Sequence, residues 1–351
     1  MSAGIASDEQ VTAEWLEPVL RQDGCLPSGH VMGIERSART TTTSVVVRLN
    51  VRYSHGAPQA APPRLLLKIC KPGFHPQFGQ SEVDFYSRVA PAMDDPPLAH
   101  CYHATYSPET GYSHVLLADL STSHFRPESR QPPSRENCER MMDCLARFHA
   151  FWWEHPRLGK DIGSVPTGDY LSEIEGILPA FLSFLGDQLP VAKQTIYRRV
   201  LSALPGLWQR FESRHLPSGR GLTLIHGDAH CGNFLVPRDA GKHSIRIIDW
   251  QFWNVNTGPR DLAFMIARNW TREDRRLTER TLVRRYHEEL LRHEVKGYEW
   301  EDCWEDYREC AVENIFIPMW QWHGQITLST DWAGLNRAFD AFEDLKCAEI
   351  L

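Results

Sequence analysis

The stretch LIHGDAHCGNFLVP, residues 224 to 237, sets His226, Asp228, His230 and Asn233 between two apolar runs, and Asp249 closes the strand-like IRIID that follows. Two chemistries suit these residue types. In the first, alternate residues of an extended segment point to one side, so His226, Asp228 and His230 would ligate a transition metal in a metal-dependent hydrolase. Such a site needs further ligands at readable spacing, yet the remaining histidines are dispersed along the chain. In the second, Asp228 and Asn233 share one loop, and the turn-forming RDAGKHS folds Asp249 back beside them. Phosphoryl transfer from ATP asks for this set: an aspartate that takes the proton of a hydroxyl, and an asparagine oxygen and a second carboxylate that hold magnesium. Hard oxygen donors suit magnesium better than imidazoles do. The second chemistry is therefore preferred.

The spacing of Asp228 and Asn233 matches the kinase catalytic loop H-R-D-x-x-x-x-N with Gly227 in place of the arginine, and Asp249-Trp250-Gln251 stands where D-F-G would be. HGDAHCGN followed by IRIIDWQFWNVNTGPRDLAF resembles the aminoglycoside phosphotransferase and choline kinase family. LARFHAFWWEHP is similar to the helix before this loop in the ecdysteroid-kinase-like branch. The resemblance runs from about residue 30 to 270 and is sharpest over 224 to 264. It implies an α+β, bilobal protein-kinase-like fold, with ATP and Mg2+ as cofactors and transfer of the γ-phosphate to a hydroxyl of a small molecule: an antibiotic, an amino sugar, a choline-like compound or another metabolite. Asp228 is then the catalytic base, and Asn233 and Asp249 bind the metal. A nucleotide-binding module of the same fold without turnover is the alternative.

These residues need a frame. Short β-branched runs, HVMGIERSA, TTSVVVRLNVRYS and PRLLLKICK, predict a small antiparallel sheet, to which LAHCYHATYS and SHVLLADL add a hairpin. Val83, Tyr86 and Val89 recur at helical spacing in QSEVDFYSRVA, so one helix interrupts the strands. Lys68 lies inside the apolar run RLLLKIC and Glu82 near the start of that helix, the order in which a kinase-like small lobe places its phosphate-pairing lysine and the glutamate that holds it. No GxGxxG is present; hydroxyls and N–H groups of Thr42, Thr43 and Ser44 in SARTTTTS would serve the phosphates instead. The backbone from Ala118 to Leu120 in VLLADLS would meet the adenine edge.

The polar, Pro-rich STSHFRPESRQPPS marks a change of texture, and the boundary is set there: residues 1–119 form a nucleotide-binding lobe, 120–351 a helical catalytic and substrate-binding lobe. Met141, Leu145, Phe148 and Trp152 form one helical stripe. Within the helical part LTLI, NFLVP and IRIID read as strands that carry the chemical loop. His226 is expected to support that loop by hydrogen bonding, and Asp261 to brace or cap a helix start. In YEWEDCWEDYREC, Trp300, Trp304 and Tyr307 share one face, and Asp302, Asp306 and Glu309 share another that is expected to be solvated.

Composition narrows the partners. A formal charge of -7 with scattered basic residues argues against nucleic acid, and no apolar stretch reaches membrane-spanning length. The nine cysteines form no CxxC pair. A cytoplasmic monomer or homodimer with a small-molecule hydroxyl acceptor is expected.

Overall fold

The computed structural model describes residues 5–41, 44–70, 76–324 and 331–351. It divides into two units, Met1–Phe125 with Leu235–Phe252, and Arg126–Phe234 with Trp253–Leu351. The expected boundary at 119/120 lies near the first crossing, and the segment Leu235–Phe252 groups with the first unit rather than with the helical one.

The first unit is built on β1 (Val31–Thr40), β2 (Ser44–Tyr53), β3 (Arg64–Cys70), β4 (Cys101–Tyr106) and β5 (Ser113–Ala118), in the order β1-β2-β3-β5-β4 and antiparallel throughout. Val47, Leu49, Leu65, Leu67 and Leu116 bury one face. A helix not anticipated from the sequence, α1 (Ala13–Asp23), covers that face with Leu16, Val19 and Leu20. Its start is capped by Thr12, which accepts from the Trp15 N–H, and it ends on Gly24 at φ 90°, where glycine carries no steric cost. The anticipated helix is α2 (Pro76–Asp84), continued by a wider π-type turn, Phe85–Val89. Short strands β6 (His124–Phe125), β8 (Phe234–Pro237) and β9 (Arg246–Ile247) form a separate sheet, β8 beginning where the chain crosses between units.

The second unit is helical: α3 (Arg135–Trp152), α4 (Asp169–Leu185), α5 (Val191–His215), α6 (Pro259–Leu262), α7 (Arg272–Arg292), α8 (Trp300–Glu313), α9 (Ile317–His323) and α10 (Trp332–Asp344). The stripe Met141, Leu145, Phe148 and Trp152 is fully buried, as the helical period requires. One antiparallel pair, β7 (Leu222–Ile225) with β10 (Asn254–Thr257), crosses this unit in the register Asn254↔Ile225 to Thr257↔Leu222. The aromatic face of α8 forms a stacked ladder, Trp300 on Trp304 on Tyr307. Its acidic face departs from expectation: Asp306 is buried, its carboxylate accepting the Tyr298 hydroxyl at 2.7 Å and lying 3.1 Å from Arg214. None of the nine cysteines is joined in a disulfide. Among the described residues no helix is long and apolar enough to cross a membrane.

Candidate active site

Lys68 sits on β3, which is flanked by β2 and β5, so it is an interior strand residue and not an edge charge. Its ammonium bridges two carboxylates, Glu82 of α2 at 2.7 Å and Asp249 at 2.6 Å. Burial works against the charge, but Asp249 and Glu82 outweigh it and hold the Lys68 pKa above its ordinary value. Burial, reinforced by Asp249, pushes the Glu82 carboxyl up against the pull of Lys68. Packing fixes the trio. Trp250 is fully buried and stacks on Phe85 with ring centroids 4.0 Å apart, its backbone N–H donates to Glu82, and its indole donates to the Ile247 carbonyl. Gln251 donates to Cys70 Sγ and Phe252 packs on Phe78. Each residue after Asp249 is thus tied to the strand bearing Lys68 or to the helix bearing Glu82. Asp249 itself has φ 72°, the left-handed region that few residues other than glycine tolerate, a strain typical of functional positions.

In the second unit the loop 226–233 hangs between β7 and β8 and is organised from below by Asp261 on α6. The fully buried Asp261 carboxylate accepts the backbone N–H groups of His226 at 2.7 Å and Gly227 at 2.9 Å, with His149 Nε2 at 3.3 Å. Burial alone would raise its pKa; the bonds and charge from His149 and His226 prevail and hold it below the usual carboxylate range. Tyr286 braces His149 from the other ring nitrogen at 2.8 Å. Gly227 has φ 81°, so the position that is arginine in the kinase loop needs glycine here. His226 Nδ1 accepts the Asp228 N–H at 3.2 Å, a supporting role. Asn233, fully buried, donates through Nδ2 to the Asp228 carbonyl at 2.8 Å and to its carboxylate at 3.2 Å, so Asp228 and Asn233 meet as the spacing required.

The metal-ligand alternative does not survive this geometry. His226, Asp228 and His230 are not on one extended segment, because the left-handed Gly227 breaks it and a tight helical turn, Cys231–Asn233, follows. His230 Nε2 lies 3.8 Å from Asp228, and among the described residues no three His, Cys, Asp or Glu side chains are grouped to hold a metal ion. The two expected magnesium ligands present oxygens to cationic groups instead: Asp249 to the Lys68 ammonium, and Asn233 Oδ1 to the Arg126 guanidinium at 3.1 Å. Each is an oxygen donor already facing a positive charge, the kind of group a hard dication takes.

Other expected contacts are placed less directly. Thr42 and Thr43 lie outside the described residues. Ser44 is buried and closes the β1–β2 turn, its N–H donating to Thr41 Oγ1 at 3.1 Å and its carbonyl accepting the Thr41 N–H at 2.7 Å. The Ala118 N–H donates to the His100 carbonyl, and the Leu120 carbonyl accepts from Ser123 and His124, so these two backbone groups are engaged within the protein. Arg126, His149 and Tyr286 were not singled out from the sequence; only the histidine within LARFHAFWW hinted at its role.

The second unit also holds a cavity of about 230 Å³ walled by Tyr170, Trp208, Phe211 and Trp320, with Asn256, Arg260 and Glu313 at its polar side. Arg260 and Glu313 are hydrogen bonded to each other. A pocket of about 20 Å³, with room for about one water, shares Tyr170, Phe211, Asn256 and Glu313 and is lined further by Asp306 and Glu309. Asn256 faces the cavity, and Asn254, about 7 Å away on the same face of β10, pairs with Ile225, just before the Asp228 loop.

A lysine–glutamate–aspartate trio on a five-stranded sheet unit, and an aspartate–asparagine loop in a helical unit, define a protein-kinase-like fold. Solved structures agree at the level of the fold. The GDP complex of wild-type aminoglycoside 2'-phosphotransferase-IIIa is 12% identical with a TM-score of 0.52, covering 97% of this chain and 100% of that one. A choline/ethanolamine kinase family protein from Mesorhizobium loti is 15% identical with a TM-score of 0.50, covering 91% and 93%. A microcompartment-associated aminopropanol kinase is 12% identical, also at 0.50, covering 90% and 91%. Residues 43–296 match the ecdysteroid kinase-like family, and the chain belongs to it. No curated protein matches the sequence. The family is kinase-like by name, and the solved structures share the fold.

Proposed function

We propose that the chain is an ATP-dependent O-phosphotransferase that moves the γ-phosphate to a hydroxyl of a small molecule. The observation that carries this reading is the Lys68 ammonium held between Glu82 and Asp249, an ion cluster in which Lys68 and Glu82 are largely buried and Asp249 is partly open to solvent. In the reaction Lys68 turns its charge to the nucleotide phosphates while Glu82 keeps it in place. Asp228, its carboxylate oriented by Asn233, accepts the proton of the acceptor hydroxyl as the phosphoryl group is transferred. Magnesium, when bound, neutralises charge on the phosphate oxygens, and the reading requires Asn233 and Asp249 to hold it.

The cavity of the helical unit supports a particular acceptor chemistry. Four aromatic side chains supply flat apolar walls, and the Glu313 carboxylate is already neutralised by Arg260. Such a lining favours an uncharged, ring-bearing alcohol over a polycation. ATP consumption, measured across hydroxylated polycycles, sugars, choline and aminoglycosides, tests both statements. Turnover is expected with a neutral ring compound, and Asp228→Ala should lower it by about a hundredfold to ten-thousandfold with nucleotide affinity retained. Undiminished turnover in that variant refutes the assignment, and ATP binding without consumption for any acceptor points to a nucleotide-binding module instead.

A further inference from the structure

The Asn233 side chain has a determined orientation. Its Nδ2 donates twice to Asp228, which leaves Oδ1 toward Arg126, and the flipped amide would set an NH2 against a guanidinium, donor against donor. Arg126 reaches this oxygen from the segment that opens the second unit, and its Nε bonds the neighbouring Gly232 carbonyl. The segment is anchored elsewhere: a Cβ on Gly232 would come within 2.5 Å of Ser129 Oγ, and Arg130 makes a bidentate pair with Asp331 at 2.9 and 2.8 Å, which Arg268 also holds. Arg126 itself is exposed, so its side chain can turn out to water without moving that backbone.

We propose that Arg126 is the resting counter-cation of the Asn233 oxygen, and that a divalent cation reaches this ligand only by displacing it. The proposal rests on the reading of Asn233 as a metal ligand. A guanidinium and a dication cannot share one carbonyl oxygen, since they would repel each other at contact distance over the buried Asn233 amide. Arg126 therefore scales the apparent cation affinity down to the fraction of molecules in which it is off Asn233, and it keeps the amide aimed correctly while no metal is there. A cation-free loop stays preorganised, at the expense of a higher metal requirement.

The test uses Mn2+ as probe, with free Mn2+ read by electron paramagnetic resonance for the full chain in the presence of a non-hydrolysable ATP analogue. Arg126→Met is expected to bind Mn2+ about tenfold more tightly than the parent protein, the loss of a charge-assisted competitor. Arg126→Gln, which removes the charge but can still bond the Gly232 carbonyl, should tighten likewise and serves if the Met variant fails to fold. Arg135→Gln removes an equal charge nine residues further on, from an exposed pair with Glu139, and should leave affinity unchanged. Unchanged or weakened Mn2+ binding in the folded Arg126 variants overturns the proposal, because loss of a merely structural brace cannot improve affinity. Equal tightening in Arg135→Gln also overturns it, by assigning the effect to the general field. Asn233→Ala should abolish the gain when combined with Arg126→Met; if Asn233→Ala alone binds Mn2+ like the parent protein, the ligand reading itself fails, which is a distinguishable result.

Discussion

Replacing Asp261 by Asn tests how the loop 226–233 is held, because the substitution keeps size and shape and removes only charge and one acceptor. One Asp261 oxygen takes the His226 N–H at 2.7 Å and faces His149 at 3.3 Å, while the other takes the Gly227 N–H at 2.9 Å. An asparagine retains a single oxygen. Placed toward His226, it points its NH2 at the Gly227 N–H and leaves that buried donor without an acceptor. A lost charge-assisted bond is worth about 1.5–3 kcal/mol and a buried unsatisfied donor about 1–3, and partial relaxation brings the expected cost to about 2–4 kcal/mol. Urea unfolding followed by far-ultraviolet circular dichroism measures it. The pH dependence has a defined sign. Asp261 is held below its ordinary pKa, so its contribution is present above about pH 4 and fades as pH falls through the folded value. The gap between parent and variant should accordingly be constant from pH 5 to 8 and narrow only in stronger acid. A cost below about 1 kcal/mol, or a gap that widens in acid, would refute the bracing argument.

Two other substitutions probe the helical unit. Burial raises the Asp306 pKa to about 7, with Arg214 and Tyr298 opposing; the native state then binds more protons than the unfolded chain between about pH 4 and 7, so stability falls as pH rises through that window. Asp306→Asn imitates the protonated form and should be more stable than the parent at pH 8 by on the order of 2–4 kcal/mol, with little difference at pH 4; equal melting temperatures at pH 8 contradict this. Asp344 on α10 receives Arg272, Arg275 and Arg276 of α7, of which Arg275 is buried. Asp344→Asn should cost about 1.5–3 kcal/mol, since Arg275 loses one of its two carboxylates and keeps Glu279 at 2.7 Å, and a thermal shift of under a degree would show the cluster to be redundant.

Much of this arrangement was legible because it is local. Strands with β-branched runs, the stripe on α3 and the aspartate–asparagine spacing are set by neighbours within a few residues, and the backbone period alone orders them. The Lys68–Glu82 pair was legible for a different reason: only one lysine lies inside an apolar strand run there, and its order with Glu82 agrees with the later motif; that Asp249 joins it was not legible, since Asp249 reads as a metal ligand. α1 escaped notice because Pro18 stands within it and its moderate pattern is stabilised by packing on the sheet, a tertiary term that propensity does not contain. Asp306 was misplaced because its partners, Tyr298 and Arg214, come from outside α8, so the helical wheel shows a charge without showing what compensates it. Arg126 is the same problem at the centre of the site. It sits in a polar, Pro-rich stretch that reads as a linker, and what it bonds is more than a hundred residues away. The Asp228–Asn233 pairing can be read from a motif, whereas the guanidinium that faces the Asn233 oxygen comes from a segment the motif does not include.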